Sequence, residues 1–334
     1  MRSSKEGSKE SPLTDILREA GKRRSALSRK EEAFRLLDGA GDGISGLYID
    51  SFKNISIAKL HSGSEAARDI DKASLAKALL AVNSASVVYL WVQSGNGAQE
   101  SAKAELIAGE EAKEIIVSEG KLKFLVRPGA TPSGGLFLDM RNVRQEISKL
   151  SAGKRVLNTF CFTGSLGIAA LSAGAAEVVQ VDSSKSALTW AAANLELNRE
   201  LCSDGAMRVI PEDCGAFMRR ETRRMEQGRG KLYDLIIIDP PVFGTAGKKN
   251  FSQERDLPQL VELAFLLLAP KGEMYLTSNR LGVTPGELEA LVREKGAAVA
   301  RGVRGIVPLE APKEDFTAPL AESPAMRGVR ASIE

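Results

Sequence analysis

Histidine and cysteine are nearly missing from this chain: 334 residues hold one histidine, His61, and three cysteines, Cys161, Cys202 and Cys214. A single imidazole excludes a histidine-based zinc centre and disfavours a Ser-His-Asp hydrolase. His61 itself reads as a surface or strand residue. Three thiols with no CxxC spacing exclude a disulfide framework. No apolar run approaches the roughly 20 residues that span a bilayer, and the opening MRSSKEGSKE carries charge but no apolar stretch for a signal peptide. The expectation is a cytoplasmic protein with no metal and no membrane partner. Net charge of either sign is also lacking, at +3 overall, but its distribution is uneven. The stretch REAGKRRSALSRK (18–30) gathers Arg18, Lys22, Arg23, Arg24, Arg29 and Lys30. That density suits contact with nucleic-acid phosphates, and a merely solvated helix face is the other reading.

What is present is 43% hydrophobic residues, enough core for two domains in a chain of this length. Residues 1–30 read as a basic segment with a helix over 14–31. Residues 31–130 form a small α+β domain. Its punctuated β-rich stretch AFRLLDGAGDGISGLYIDSFKNISIAKLH precedes a helix at 64–82, and the strands SVVYLWVQ and KEIIVSEGKLKFLV follow, the latter turning at Glu119-Gly120. Residues 131–334 change rhythm. Strand patterns at 155–160, 177–182, 207–210, 234–239 and 272–278 alternate with helical ones, and two more strands are expected near 298–308 and 326–333. Alternation of this kind predicts an α/β fold: a Rossmann-like, seven-stranded, mostly parallel sheet covered by helices.

In such a sheet the ligand lies outside the carboxyl ends of the strands, so the residues that end each strand are the informative ones. The first strand runs into NTFCFTGSLG (158–167), which offers Asn158, Phe160, Thr163 and Gly164, with Gly167 permitting close backbone approach. The second ends in Asp182 and Ser183, where a carboxylate can accept from ribose hydroxyls. The third is followed by PEDC (211–214), where Asp213, beside Cys214, can accept from an adenine amine. Each has a structural alternative: a tight turn for the glycines, a helix cap for Asp182. Taken in order, they describe an adenosine site. The loop is not GxGxxG and no second glycine-rich turn serves another nucleotide, so S-adenosylmethionine fits better than a dinucleotide.

The fourth strand ends as DLIIIDPPVF. Asp239 emerges beside the cofactor, Pro240 and Pro241 stiffen the turn by fixing φ, and Phe243 offers a face on which an unstacked base can lie. The alternative is a strand stop with Phe243 in the core.

At this point the chain resembles a family. DGISGLYIDSF (42–52), GLFLDMRNVR (135–144), the stretch 156–198 and DLIIIDPPVF together resemble bacterial class I methyltransferases acting on large-subunit ribosomal RNA. The resemblance covers roughly residues 14–333. It implies the two-domain arrangement above, ribosomal RNA as partner, and Phe137 and Arg141 near the cofactor pocket, although Arg141 also suits a structural ion pair. The family usually carries an N-terminal PUA RNA-binding domain, for which there is no room before residue 31. The oligomeric state stays open, a homodimer included.

Methylation of cytosine C5 needs a cysteine that adds to C6, because the ring carbon is otherwise not nucleophilic. Where related cytosine-C5 enzymes carry that cysteine, this chain has Asn279, in YLTSNRLG. Guanine N7 has its own lone pair and needs only positioning. The stretches SQERD (252–256), TSNR (277–280) and EDF (314–316) also resemble a guanine-N7 methylating enzyme of the family. Guanine N7 is therefore the favoured acceptor. Cytosine C5 is one alternative, and a non-catalytic RNA-binding or ribosome-assembly protein with a vestigial cofactor site is the other.

Overall fold

The structure is a computed structural model, and it describes residues 11–82, 84–93, 104–202, 205–246, 249–319 and 325–334, with the side chains of 243–250 outside the description. It divides into two compact units.

The first comprises Met1–Lys121, Val126–Leu138 and Lys313–Ser323. It opens with helices α1 (Pro12–Arg23) and α2 (Ser25–Ser28). Strands β1 (Ala33–Asp38), β2 (Leu47–Phe52) and β3 (Ile55–His61) form the antiparallel meander that the GDG and KN turns predict. The helical stretch at 64–82 is broken into α3 (Glu65–Asp69) and α4 (Lys72–Val82). It carries the chain over to β4 (Val87–Gln93), parallel to β3, and β5 (Glu105–Ala108) closes the edge. Helix α1 buries Leu17 and Ala20 in this unit's core beside Leu36, Leu37 and Leu79. Strands β6 (Ile115–Glu119) and β7 (Leu122–Val126) flank Gly120, which sits at φ +56°.

The second unit comprises Leu122–Leu125, Asp139–Pro312 and Pro324–Glu334. After α5 (Arg141–Leu150) it alternates: β8 (Arg155–Thr159), α6 (Ser165–Ser172), β9 (Glu177–Asp182), α7 (Lys185–Leu197), β10 (Ala206–Pro211), α8 (Cys214–Glu226) and β11 (Tyr233–Ile238). A short antiparallel pair, β12 (Phe243–Ala246) and β13 (Lys249–Ser252), leads into α9 (Gln253–Leu267). Then come β14 (Leu268–Ser278), α10 (Pro285–Ala298), β15 (Val303–Leu309) and β16 (Arg327–Ile333). Helix α10 starts where its sequence says: Thr284 and Glu287 form a reciprocal capping box, with Pro285 in the first turn.

The seven strands lie in the order β10-β9-β8-β11-β14-β16-β15. β16 runs antiparallel to both its neighbours and the rest are parallel. Each central strand feeds two cores at period two. Ile236 and Ile238 join Leu157 and Val179 on one face, and Leu235 and Ile237 join Val156 and Val178 on the other. That is why DLIIID is an unbroken apolar run rather than an alternating one.

Candidate active site

The strand order reverses between β8 and β11, since β9 and β10 lie to one side and β14, β16 and β15 to the other. The crevice beyond the carboxyl ends of β8 and β11 is thus the topological switch point. β8 delivers residues 160–164 there, and β11 delivers Asp239.

The loop after β8 is strained. Phe160, Phe162 and Gly164 lie in the left-handed region at φ 55°, 48° and 81°. For the two phenylalanines this costs on the order of 1–3 kcal/mol each, so neighbouring contacts must hold them. The Phe160 N–H donates to Cys214 Sγ at 3.1 Å, and the Phe162 N–H donates to Asp182 Oδ2 at 2.9 Å. The Thr163 carbonyl accepts from Asn194 Nδ2 at 3.0 Å. Asp182 Oδ1 accepts from the Ser184 N–H at 2.8 Å, so this carboxylate ties the loop to the turn after β9. It is partly exposed, and each oxygen retains a lone pair. Asp213 caps α8 through the Ala216 N–H at 2.8 Å. It also borders a cavity of about 340 Å³ with Gly215, Arg219 and Phe251. Phe251 meets Phe160 at 5.3 Å between ring centroids. Two carboxylates with acceptor capacity to spare on successive strand ends, beside an aromatic pair, suit the hydroxyls and amine of an adenosine. The residues present therefore fit the adenosyl part of S-adenosylmethionine.

Several of the residues expected near the cofactor also make contacts within the protein. A Cβ on Gly167 would lie 2.6 Å from Gln180 Oε1, and one on Gly164 would lie 2.7 Å from Gln180 Nε2. These glycines leave room for the Gln180 side chain beneath the loop. Asn158 is buried and donates to Gln180 Oε1 at 2.8 Å. Thr163 is buried, and so is Cys214, whose thiol reaches the Val181 carbonyl at 3.5 Å. Asn158, Thr163 and Cys214 shape the site from beneath. Ser183 is exposed and Arg141 is buried at the start of α5. Phe137, in the first unit, is 41% exposed.

At the other side of the switch point, Asp239 is partly exposed, and Thr277 Oγ1 on β14 donates to its Oδ1 at 2.5 Å. Burial pushes the Asp239 carboxyl up to about 6, against the Thr277 hydrogen bond and with help from the nearby Asp139 charge. The turn that follows is clamped by a residue that the sequence reading places only within the stretch SQERD, with no role of its own. Gln253, the buried first residue of α9, donates from Nε2 to the Pro240 carbonyl at 2.7 Å. Its Oε1 accepts from Ser278 Oγ at 2.6 Å, and its own N–H reaches the Val242 carbonyl at 3.2 Å. The Pro240 carbonyl is thus held by Gln253, which fixes the turn in place. Pro241 is exposed, as is Asn279 just past the end of β14. The side chain of Phe243 lies outside the described residues.

All three cysteines are buried. Burial raises the Cys161 and Cys214 thiols well above the ordinary range, with the Asp182 charge adding to it, and pushes Cys202 up to about 11. None is poised to ionise.

The basic run is largely spent within its own unit. Arg18 pairs with Asp15 at 3.0 Å and Lys22 with Glu19 at 2.6 Å, while Arg23 and Arg24 share Asp42 at 2.6 and 2.7 Å. Arg24 is 1% exposed and also donates to the Ala20 and Asp315 carbonyls. It is a structural arginine and cannot meet a phosphate. Arg29 and Lys30 are exposed.

Among the described residues no helix is long and apolar enough to cross a membrane. Ribosomal RNA large subunit methyltransferase I of Aeromonas salmonicida is 34% identical over 245 residues, 72% of this chain and 59% of that protein. Ribosomal RNA large subunit methyltransferase K/L of Chromohalobacter salexigens is 34% identical over 215 residues, 64% of this chain and 28% of that one. The chain thus spans well under two thirds of the length of these relatives. Among solved structures, a Streptococcus mutans protein described as a SAM-dependent methyltransferase superposes with a TM-score of 0.78 at 20% identity. That superposition covers 96% of this chain and 80% of the other. A second methyltransferase, crystallised with S-adenosylhomocysteine, gives 0.80 at 22% over the same shares. At these identities the likeness carries the fold. The family model described as S-adenosylmethionine-dependent methyltransferase matches residues 56–322, well over half of the chain. With its strand-end carboxylates and Asp-Pro-Pro turn meeting at one switch point, the chain belongs to the S-adenosylmethionine-dependent methyltransferases, and S-adenosylmethionine is its cofactor.

Proposed function

We propose that this enzyme methylates a base of large-subunit ribosomal RNA, and that the acceptor is guanine N7. The substrate class is supported by two relatives named for large-subunit ribosomal RNA. The acceptor atom rests on one observation above all: the three thiols are buried and resist ionisation, so the chain offers no nucleophile for the C6 addition that cytosine C5 requires.

When bound, the cofactor supplies an electrophilic methyl on a sulfonium. The chain's own work is then positioning. Asp182 accepts from the ribose hydroxyls and Asp213 from the adenine amine. Asp239, ionised at neutral pH, accepts from the exocyclic amine of a base taken out of its stack, and Asn279 bonds the base edge. Gln253 and the two prolines keep the turn from yielding when the base enters. A guanine N7 lone pair carries no proton, so its attack needs no general base, which suits a site without histidine.

The test is nucleoside mass spectrometry of large-subunit RNA from cells with and without the gene. Selective loss of 7-methylguanosine is the expected result. Loss of 5-methylcytidine, or no change in any methylated nucleoside, would overturn the proposal.

A further inference from the structure

Among the described residues, a second concentration of positive charge lies at the far end of α8. Its sequence, CGAFMRRETRRME, places Arg220, Arg223 and Arg224 one helical turn apart, on adjoining positions of one face. Arg223, Arg224 and the following Arg229 are exposed. With Arg220 and Gln227 they line an open groove of about 480 Å³.

The groove is held in shape. Glu221, 8% exposed, sets one carboxylate oxygen 3.7 Å from both Arg220 Nε and Arg224 Nη1, which keeps the two guanidiniums side by side. Arg220 also pairs with Glu212 and lies over the Phe217 ring at 5.0 Å. Beyond the helix, Gly228 takes φ +68° and the Arg229 N–H bonds the Arg224 carbonyl at 2.9 Å. The chain therefore folds back and returns a fourth guanidinium to the same groove. Gly230 permits this, since a Cβ there would lie 2.4 Å from Met225 Sδ. A helix dipole accounts for cations in a last turn, but not for Arg229 brought back against them. Among the described residues the groove's ion pairs are those of Glu212 and Glu221 with Arg220 and Arg224, and Arg223 forms none.

We infer that the α8 groove is a docking site for the phosphate backbone of RNA, a contact that grips the substrate away from the methyl-transfer centre. Planar forks at helical spacing recognise phosphate oxygens bidentately, and a polyanion is the occupant whose charge complements this surface. The choice of RNA over another polyanion rests on the ribosomal RNA substrate proposed above.

The test is the double variant Arg223→Gln/Arg229→Gln of the whole protein, with binding to a large-subunit ribosomal RNA fragment followed across ionic strength. Neither residue contacts the cofactor site, so S-adenosylmethionine affinity should be unchanged. The expected result is weaker RNA binding whose log-log salt slope is shallower by about 1.4–1.8, near 0.7–0.9 per lost contact, with Arg223→Lys/Arg229→Lys restoring most of it. An unchanged affinity and slope would overturn the inference. So would a wild type with no salt-dependent RNA binding, or a variant that loses binding only to anionic phospholipid vesicles. If the slope falls while the wild type transfers no methyl group to any ribosomal RNA, the groove stands and the proposed reaction fails.

Discussion

In the proposed reaction Asp239 meets two opposed requirements: it must be ionised to receive a base, yet its surroundings push its carboxyl up to about 6. Because the folded state holds the proton more tightly than the unfolded chain, stability falls as pH rises from roughly 4 to 6 and is level above. Asp239→Asn keeps an acceptor for Thr277 and removes the buried charge. It should raise the unfolding free energy above pH 6 by no more than about 3 kcal/mol, less for the partial exposure, and leave it unchanged below pH 4. Denaturant unfolding at the two pH values measures this. In the wild type, kcat/KM should climb with an apparent pKa near 6, a limb that the variant lacks. A stability gain at low pH instead would mean that the charge is not the cause. At this scale the sequence shows residue type but not direction. The strand-end positions of Asp182 and Asp239 are legible because each follows a mainly apolar run. Asn158 and Cys214 are equally polar and equally placed, but they face inward, and only packing against Gln180 and Val181 reveals it.

At the scale of elements, apolar runs locate the strands of the seven-stranded sheet to within a few residues but miss the short pair β12 and β13. They also miss the clamp between elements. Gln253 looks like one more polar residue at a helix start, and its partners at Pro240 and Ser278 lie 13 and 25 residues away. Gln253→Leu keeps the side chain's bulk but leaves the Pro240 carbonyl and the Ser278 hydroxyl without it. A loss of about 1–3 kcal/mol of stability is expected, with kcat reduced more than cofactor affinity. Steady-state kinetics beside calorimetric titration separate the two. An unchanged kcat would show that the turn is stiff enough through its prolines alone.

For the whole molecule, the chain's return to its first unit is the least legible feature. Lys313–Ser323 belongs to that unit although the other unit's Asp139–Pro312 intervenes. The Thr317 and Ala318 N–H groups donate to Asp38 Oδ2 at 2.7 and 2.8 Å, and the Arg35 N–H donates to Asp315 Oδ2 at 2.9 Å. A Cβ on Gly41 would lie 2.4 Å from the Ala318 nitrogen. No local pattern forecasts a contact at that separation, and the same network consumes Arg24, which charge density alone assigns to RNA. Arg24→Ala leaves Asp42 with Arg23 as its remaining ion-pair partner and should destabilise by about 1–3 kcal/mol, seen as a lower denaturant midpoint, with no change in the salt slope of RNA binding. A shallower slope with intact stability would return Arg24 to the RNA surface. The central claim, direct methyl transfer to a ribosomal RNA base without a cysteine, is tested most directly with purified enzyme. It is incubated with methyl-labelled S-adenosylmethionine and large-subunit RNA or particles from cells lacking the gene, and the product nucleoside is then identified by mass. The account predicts label in 7-methylguanosine, undiminished in a Cys202→Ser variant; label in 5-methylcytidine, or none in any ribosomal RNA nucleoside, would contradict it.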